Sequence, residues 1–292
     1  MTTSRFARQR GAALLEFALV AIVLYLLVAA TLDLGRQMLY AQTAQGAANL
    51  LARELSIAEL PVTGVTLSDL LENDAMVNAA IYDPRRLVID LDNDLAPGQT
   101  LDDYFATLPI VNRTLRALMI FDPVVAGGAE HRLLRVPGAL WVLPDGSLTV
   151  KVPRVVSRAA DGTETIEIED FVTEVRNAAG NSVFPVDPND PIGTGLVAVR
   201  LNVPFQAAAL SGFGDSPDGP FEPNLDEVHS ANDGGVTVQG AVIGAPAGFD
   251  ALTGSYAGPF GLGEQQALGK VVRPYRKLVT VDAVFRREGF AP

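Results

Sequence analysis

Residues Ala12 to Leu32 read AALLEFALVAIVLYLLVAATL, a run of 21 with one ionisable side chain, Glu16. At about 1.5 Å rise per residue, such a helix covers roughly 30 Å, the thickness of a bilayer's hydrocarbon core. Upstream, Met1 to Gly11 carries Arg5, Arg8 and Arg10 and no acid, while Asp33 follows the run. That asymmetry predicts a single-pass anchor with its N-terminus in the cytoplasm and the rest of the chain exported.

The helical pattern continues beyond the apolar run. Asp33 to Ile57 is rich in Ala, Leu, Gln, Glu and Arg, all good helix formers. Leu34, Met38, Ala41, Ala48, Leu51 and Leu55 recur at helical spacings and form an apolar stripe. Gly35 and Gly46 weaken it locally, by about 1 kcal/mol each relative to Ala, and Pro61 and Gly64 supply the stop. One helix from Ala12 to Ile57 is thus expected, roughly 70 Å long. The organisation predicted is a leader over 1–11, a long helix over 12–60 with its membrane part at 12–32, and an exported domain over 65–292. A secretory signal is the competing reading, with Phe17 to Val28 as its apolar region and cleavage after Val28-Ala29-Ala30. Such a cut would fall inside an unbroken helical pattern. A plain uncleaved tether is the third reading.

Glu16 separates these readings. A carboxylate inside an apolar helix costs a few kcal/mol on insertion scales, so it either snorkels to the headgroups or meets a positive partner. The surrounding Arg10-Gly11-Ala12-Ala13-Leu14-Leu15-Glu16-Phe17 resembles the processing site of class III (type IVb) prepilins: a basic leader ending in Gly, four residues, then Glu and an aromatic. More specifically, Arg10-Gly11, Glu16-Phe17, Asp33-Leu34-Gly35-Arg36, Tyr40 and Ala47-Ala48-Asn49 look like the TadE-like pseudopilins of tight-adherence (Flp) pilus systems. The resemblance implies a protein of the bacterial inner membrane, cleaved by a prepilin peptidase between Gly11 and Ala12. It also implies that Glu16 sets axial register by pairing with the new terminal amine of a neighbouring subunit. The major pilins of such systems usually carry Tyr after the Glu and are little more than the helix. Phe17 and the length of this chain therefore point to a minor pseudopilin. Its implied partners are the peptidase, other pilins or pseudopilins and the inner-membrane platform of the pilus.

From Val65 onward the helical periodicity gives way to short alternating runs. Leu87–Ile89, Leu148–Val152, Thr165–Glu169, Leu196–Leu201 and Leu278–Phe285 read as strands, with turns at Leu143–Ser147 and Ala160–Thr163 and a short helix at Asn112–Ile120. The expected class is α+β, a β-rich exported domain with a mainly antiparallel sheet. Residues 211–264 hold 12 Gly and 5 Pro of the chain's 27 and 19. That density marks a looped insertion, with Val236-Thr237-Val238 as a short strand within it. Weaker echoes of larger TadE-like pilus-assembly proteins lie at Arg113–Asp122 and Val203–Leu210.

Little else in the sequence points to chemistry. A net charge of −12 argues against nucleic acid, whose binders need a basic stripe. With no cysteine, disulfides and thiol catalysis are excluded. Asp90, Asp92 and Asp94 alternate like the opening of a calcium loop, with Asp102 nearby, but Leu95 stands where that loop needs Gly and Leu101 where it needs Glu. They read as a polar turn or a non-EF calcium site. Asp187–Pro191 reads as a rigid turn. Gly193-Thr194-Gly195 precedes a strand, the reverse of a dinucleotide fingerprint's context. His131, between Glu130 and Arg132 and near Gly127-Gly128, reads as an ordinary loop residue, and Trp141 as a core anchor. Lys270, Arg273, Arg276, Lys277, Arg286 and Arg287 are either charges guarding an edge strand or a face for an acidic partner. The expectation is therefore a structural protein: no enzyme, no cofactor, no small-molecule substrate. The alternative is a signal-anchored envelope domain that binds a ligand or calcium without joining a filament.

Overall fold

The computed structural model describes residues 4–61, 64–126, 129–143, 147–158, 164–190, 192–206 and 276–288, together with five short strands between 228 and 272. One helix, α1 (Ser4–Ile57), runs unbroken for 54 residues, about 80 Å at the usual rise. It is followed by α2 (Leu67–Asn73), α3 (Ala75–Ala80), β1 (Val88–Asp90), α4 (Leu101–Thr107) and α5 (Ile110–Leu115). Then come β2 (Ile120–Ala126), β3 (Ala129–Arg135), β4 (Ala139–Val142), β5 (Leu148–Arg158), β6 (Glu164–Asp170), β7 (Val172–Glu174) and β8 (Leu196–Gln206). The strands β9 (Val228–His229), β10 (Thr237–Val238), β11 (Val242–Ile243), β12 (Gln265–Ala267) and β13 (Lys270–Val272) are short, and β14 (Arg276–Arg286) closes the chain.

The domain is α+β, as its alternating runs predict. The sheet that matters most has the order β14-β8-β7 and is antiparallel, with Arg276 opposite Gln206 and Arg286 opposite Leu196. Val197, Val199, Leu201, Val203 and Phe205 alternate along β8, all buried, and join Val279 and Ala283 of β14 in the main core. The second half of α1 belongs to that core. Ala44, Ala47, Ala48, Leu51, Ala52 and Leu55 have no exposed surface, and four of these six being alanine lets the helix backbone approach the sheet closely. The stripe expected from the sequence begins too early, however. Leu34 and Met38 are 59% and 57% exposed, while Arg36 and Tyr40 on the same stretch meet Phe205.

Among the described residues two further sheets have the orders β11-β6-β5-β4 and β1-β3-β2, and the short strands pair as β10-β9 and β12-β13. In the sheet β1-β3-β2 the structure corrects an expectation. His131 is in strand β3, opposite Val124 of β2, instead of a loop. The pairing of β2 with β3 runs up to Ala126 opposite Ala129. Helices α2 and α4 are fixed by capping boxes, Thr66 with Asp69 and Thr100 with Asp103. In each, the capping hydrogen bonds hold the aspartate below its ordinary pKa. Buried Asn112 on α5 exchanges two 2.9 Å hydrogen bonds with the backbone of Asp83 and so pins that helix to the approach to β1.

The expected strands are present, each somewhat longer or displaced by a residue, as is Thr237–Val238. Of the expected turns, Leu143 donates its N–H to the Ser147 carbonyl at 2.8 Å, while Ala160–Thr163 lies outside the described residues. So does most of the glycine-rich stretch 211–264.

Candidate functional site

Among the described residues, the stretch of α1 from Leu15 to Leu39 is largely left uncovered by the fold. Phe17 is 72% exposed, Leu15 70%, and Val20, Leu24 and Leu27 more than half. Large apolar side chains point outward all round the helix, a surface far beyond what a water-facing protein normally carries. The Thr31 hydroxyl donates to the Leu27 carbonyl at 2.8 Å, so this polar group is satisfied within the helix, as an apolar surrounding requires. Among the described residues this is the one helix long and apolar enough to cross a membrane.

Gly11 and Ala12 lie within the helical backbone, and Glu16 follows Ala12 by one turn on an exposed stretch beside Phe17. Positions four apart share a helical face, about 6 Å along the axis. A positive charge at position 12 of the same helix would thus lie within reach of the Glu16 carboxylate.

Beyond this bare half, the domain grips α1 at two levels. At the near level Tyr40 packs edge-on against Phe205 with ring centres 5.4 Å apart, and the Arg36 guanidinium lies 5.8 Å from the same ring. At the far level the C-terminal end of the chain closes over the exit of the helix. Arg287 donates to the carbonyls of Leu60 at 2.6 Å and Pro61 at 3.1 Å, with its guanidinium 4.3 Å from the Phe184 ring centre. The Glu288 N–H meets the Ser56 carbonyl at 3.0 Å. Burial lowers the pKa of Arg287. Between the two levels, Gln45 donates to the Asp282 carbonyl at 3.1 Å. Helix α1 therefore packs on the core face of the β14–β8 pair, with this hydrogen bond reaching the backbone of β14. Sequence reasoning did not anticipate this grip, because its partners are more than about 100 residues apart.

The other sequence candidates resolve as follows. Asp90 accepts hydrogen bonds from the Asp92 N–H at 3.0 Å and the Asn93 side chain at 2.7 Å, and the Asp90 N–H donates to Asp94 at 2.8 Å. Asp92 turns instead to Arg132 of β3, whose Nε lies 3.0 Å away, and Asp102 pairs with Arg116 at 2.7 Å. Among the described residues no group of three acidic or histidine side chains gathers as a metal ion requires. Gly195, at φ 68°, ends the turn that leads into β8. Trp141 is buried. Arg273 lies outside the described residues.

Two adjoining clefts of about 430 and 450 Å³ share Glu72, Pro84 and Asp170. Their charges are largely spent on one another. Lys151 pairs with Asp170, and buried Glu174 receives hydrogen bonds from Ser68 and Ser182, with Arg176 3.6 Å away. Glu72 is raised above its ordinary pKa by burial and then by the charge of Asp170. Arg200, also on the wall, makes a two-point ion pair with Asp282 at 2.7 and 2.9 Å.

A bare apolar helix that becomes the core helix of a β-rich domain defines a class of architecture: a helix built to enter an apolar surrounding, with a domain at its far end. Comparison narrows the likeness, for the model of the TadE-like protein family matches residues 11–53, and the chain is similar to that family over this stretch. The match begins at Gly11 and ends within the buried half of α1, and it bears out the resemblance carried by Glu16-Phe17 and Ala47-Ala48-Asn49. That family points to pilus assembly and to a structural part in it. No curated protein and no solved structure matches the chain.

Proposed function

We propose that this chain is a minor pseudopilin of a tight-adherence pilus or related secretion filament. A prepilin peptidase removes residues 1–11 on the cytoplasmic face, and the remaining helix joins a bundle of like helices. The observation that carries the reading is the family match opening at Gly11, at the head of a bare apolar helix whose one carboxylate through Leu32 is Glu16.

Each residue then has a physical task. Gly11 has no side chain and a low helix propensity, so the helix opens there more easily for the peptidase to reach the backbone. Cleavage leaves an amine on Ala12. Glu16 accepts the amine of a neighbouring subunit; the pair offsets two desolvation costs and fixes axial register, while apolar packing supplies adhesion. Phe17 packs between helices, and the domain beyond Arg36 primes, caps or decorates the assembly from the exported side. The partners are the inner membrane, the peptidase, other pilins and the assembly platform.

The test is Glu16→Ala together with a charge-keeping Glu16→Asp, expressed with the other pilins of the native cell. Membrane insertion persists in both, and co-purification with pilins is lost for Ala and partly kept for Asp. Normal incorporation of Glu16→Ala would sink the pairing mechanism.

A further inference from the structure

We propose that the cleft between α2 and β7 receives a primary ammonium group carried on an alkyl stem, with the Glu72 carboxylate and the Tyr82 hydroxyl as its first contacts. This inference is independent of what α1 does in a membrane or a filament.

The walls of the cleft are fixed by the fold. Glu72 lies near the end of α2, whose start is held by the Thr66–Asp69 capping box and whose Ser68 donates to Glu174 of β7 at 3.3 Å. Tyr82 follows α3 and donates its N–H to the Val77 carbonyl at 2.9 Å. The next residue, Asp83, is pinned by Asn112. Glu72 and Tyr82 both line the cleft of about 430 Å³, within the roughly 300–1,000 Å³ typical of small-ligand sites.

Two groups in the cleft are unmatched. Tyr82 is 3% exposed, yet among the described residues nothing hydrogen-bonds to its hydroxyl. The fully enclosed side-chain oxygens that lack a partner among those residues belong to Asn78 and Asn202. The Tyr82 hydroxyl is therefore open to the cleft that its side chain lines. A hydroxyl withdrawn from bulk water without a partner is costly, and a ligand group that met it would recover that cost. The Glu72 carboxylate likewise has no ion pair or hydrogen bond among the described residues. The nearby cations are committed elsewhere: Lys151 to Asp170, Arg176 to Glu174 and Arg200 to Asp282. Glu72 thus leaves an uncompensated negative charge in the wall, beside Asp170, which lines the same cleft.

These groups select the ligand. A cation relieves the repulsion between Glu72 and Asp170, and an anion would add to it. A metal ion needs more acidic or histidine ligands than gather here, for among the described residues no group of three does so. An ammonium carries three N–H donors, enough for the Glu72 carboxylate and the Tyr82 hydroxyl together. Burial, then the charges of Asp170 and Asp83, push the Tyr82 pKa well up, so the hydroxyl stays neutral and its oxygen accepts. Leu71 and Val172 on the same walls are apolar and suit an alkyl stem, as lysine stems lie along apolar surface. Two sources carry this chemistry: a lysine side chain of a partner protein and a free alkyl diamine.

The test is a calorimetric titration of the full chain in mild detergent with three probes. They are Nα-acetyl-lysine N-methylamide, 1,4-diaminobutane, and the Nε-acetylated form of the lysine probe, which keeps the stem and lacks the charge. Trp141, the one tryptophan, lines the adjoining cleft, so its fluorescence should change along the same binding curve. Saturable binding is expected with an amine and none with the acetylated probe. Glu72→Gln should weaken it at least about tenfold and Tyr82→Phe about two- to tenfold. Neither variant removes a hydrogen bond of the fold, and both should keep the parent's circular dichroism. Tighter binding of the lysine probe supports a partner's side chain as the occupant, and tighter binding of the diamine supports a free amine. No saturable binding of either amine, an equal response to the acetylated probe, or parental affinity in Glu72→Gln would overturn the proposal.

Discussion

Both halves of α1 carry leucines but in opposite surroundings, so the same truncation should have different consequences in them. Leu51 has no exposed surface and lies in the main core with strands β8 and β14. Leu51→Ala removes its buried methyl groups and leaves a cavity that the rigid sheet cannot fully close, a loss of about 3 kcal/mol. That is a large share of the roughly 5–15 kcal/mol that holds a domain folded. Leu24 is 60% exposed and lies outside the main core, so Leu24→Ala should change domain stability by less than about 0.5 kcal/mol. The assay is denaturation of the full chain in mild detergent, followed by the fluorescence of Trp141, the one tryptophan, which is buried. The midpoint should fall for Leu51→Ala with an unchanged slope and stay put for Leu24→Ala. Equal effects of the two substitutions, or a cost at Leu51 under about 1 kcal/mol, would refute the division of the helix.

The remaining predictions concern the far grip and the ion pair on the sheet. Arg287→Ala strips the Leu60 and Pro61 carbonyls of their donor and loses the contact with the Phe184 ring, at about 1–3 kcal/mol. Hydrogen exchange at residues 56–61 should quicken, and Arg287→Lys, lacking the two-pronged guanidinium, should recover less than half of the loss. The Arg200 hydrogen bond holds Asp282 below its ordinary value of 3.8. Because the folded pKa is the lower one, the pair's stabilisation is complete above about pH 4 and fades as pH falls through the folded pKa. Both side chains are over a third exposed, so the contribution stays under about 1 kcal/mol. In acid titrations followed by Trp141 fluorescence, Asp282→Asn should flatten this part of the acid limb and remove a small stabilisation at neutral pH.

The sequence revealed most about α1, because helical periodicity and the Gly11–Glu16 spacing are local signals. The long strands β5, β8 and β14 were legible from alternation for the same reason. Helices α2 and α4 were not foreseen. Each is a seven-residue element defined by a threonine and an aspartate three positions later, too short for periodicity to register. The turn at Asp90–Asp94 looked like a ligand set because alternating acids also suit a turn in which each carboxylate caps nearby N–H groups. What no local pattern carries is the grip of Arg287 on the exit of α1. Arg287 and Leu60 come together only because β14 is laid antiparallel to β8 across α1.

The central claim is that Gly11 marks a boundary and Ala12 begins the working protein. Mass spectrometry of the N-terminal peptide, from protein taken from its native membrane, tests it most directly. The account predicts a peptide that starts at Ala12, with or without a methyl group on its amine. A peptide starting at Thr31, from signal cleavage after Ala30, or one retaining Met1 or Thr2, would contradict it.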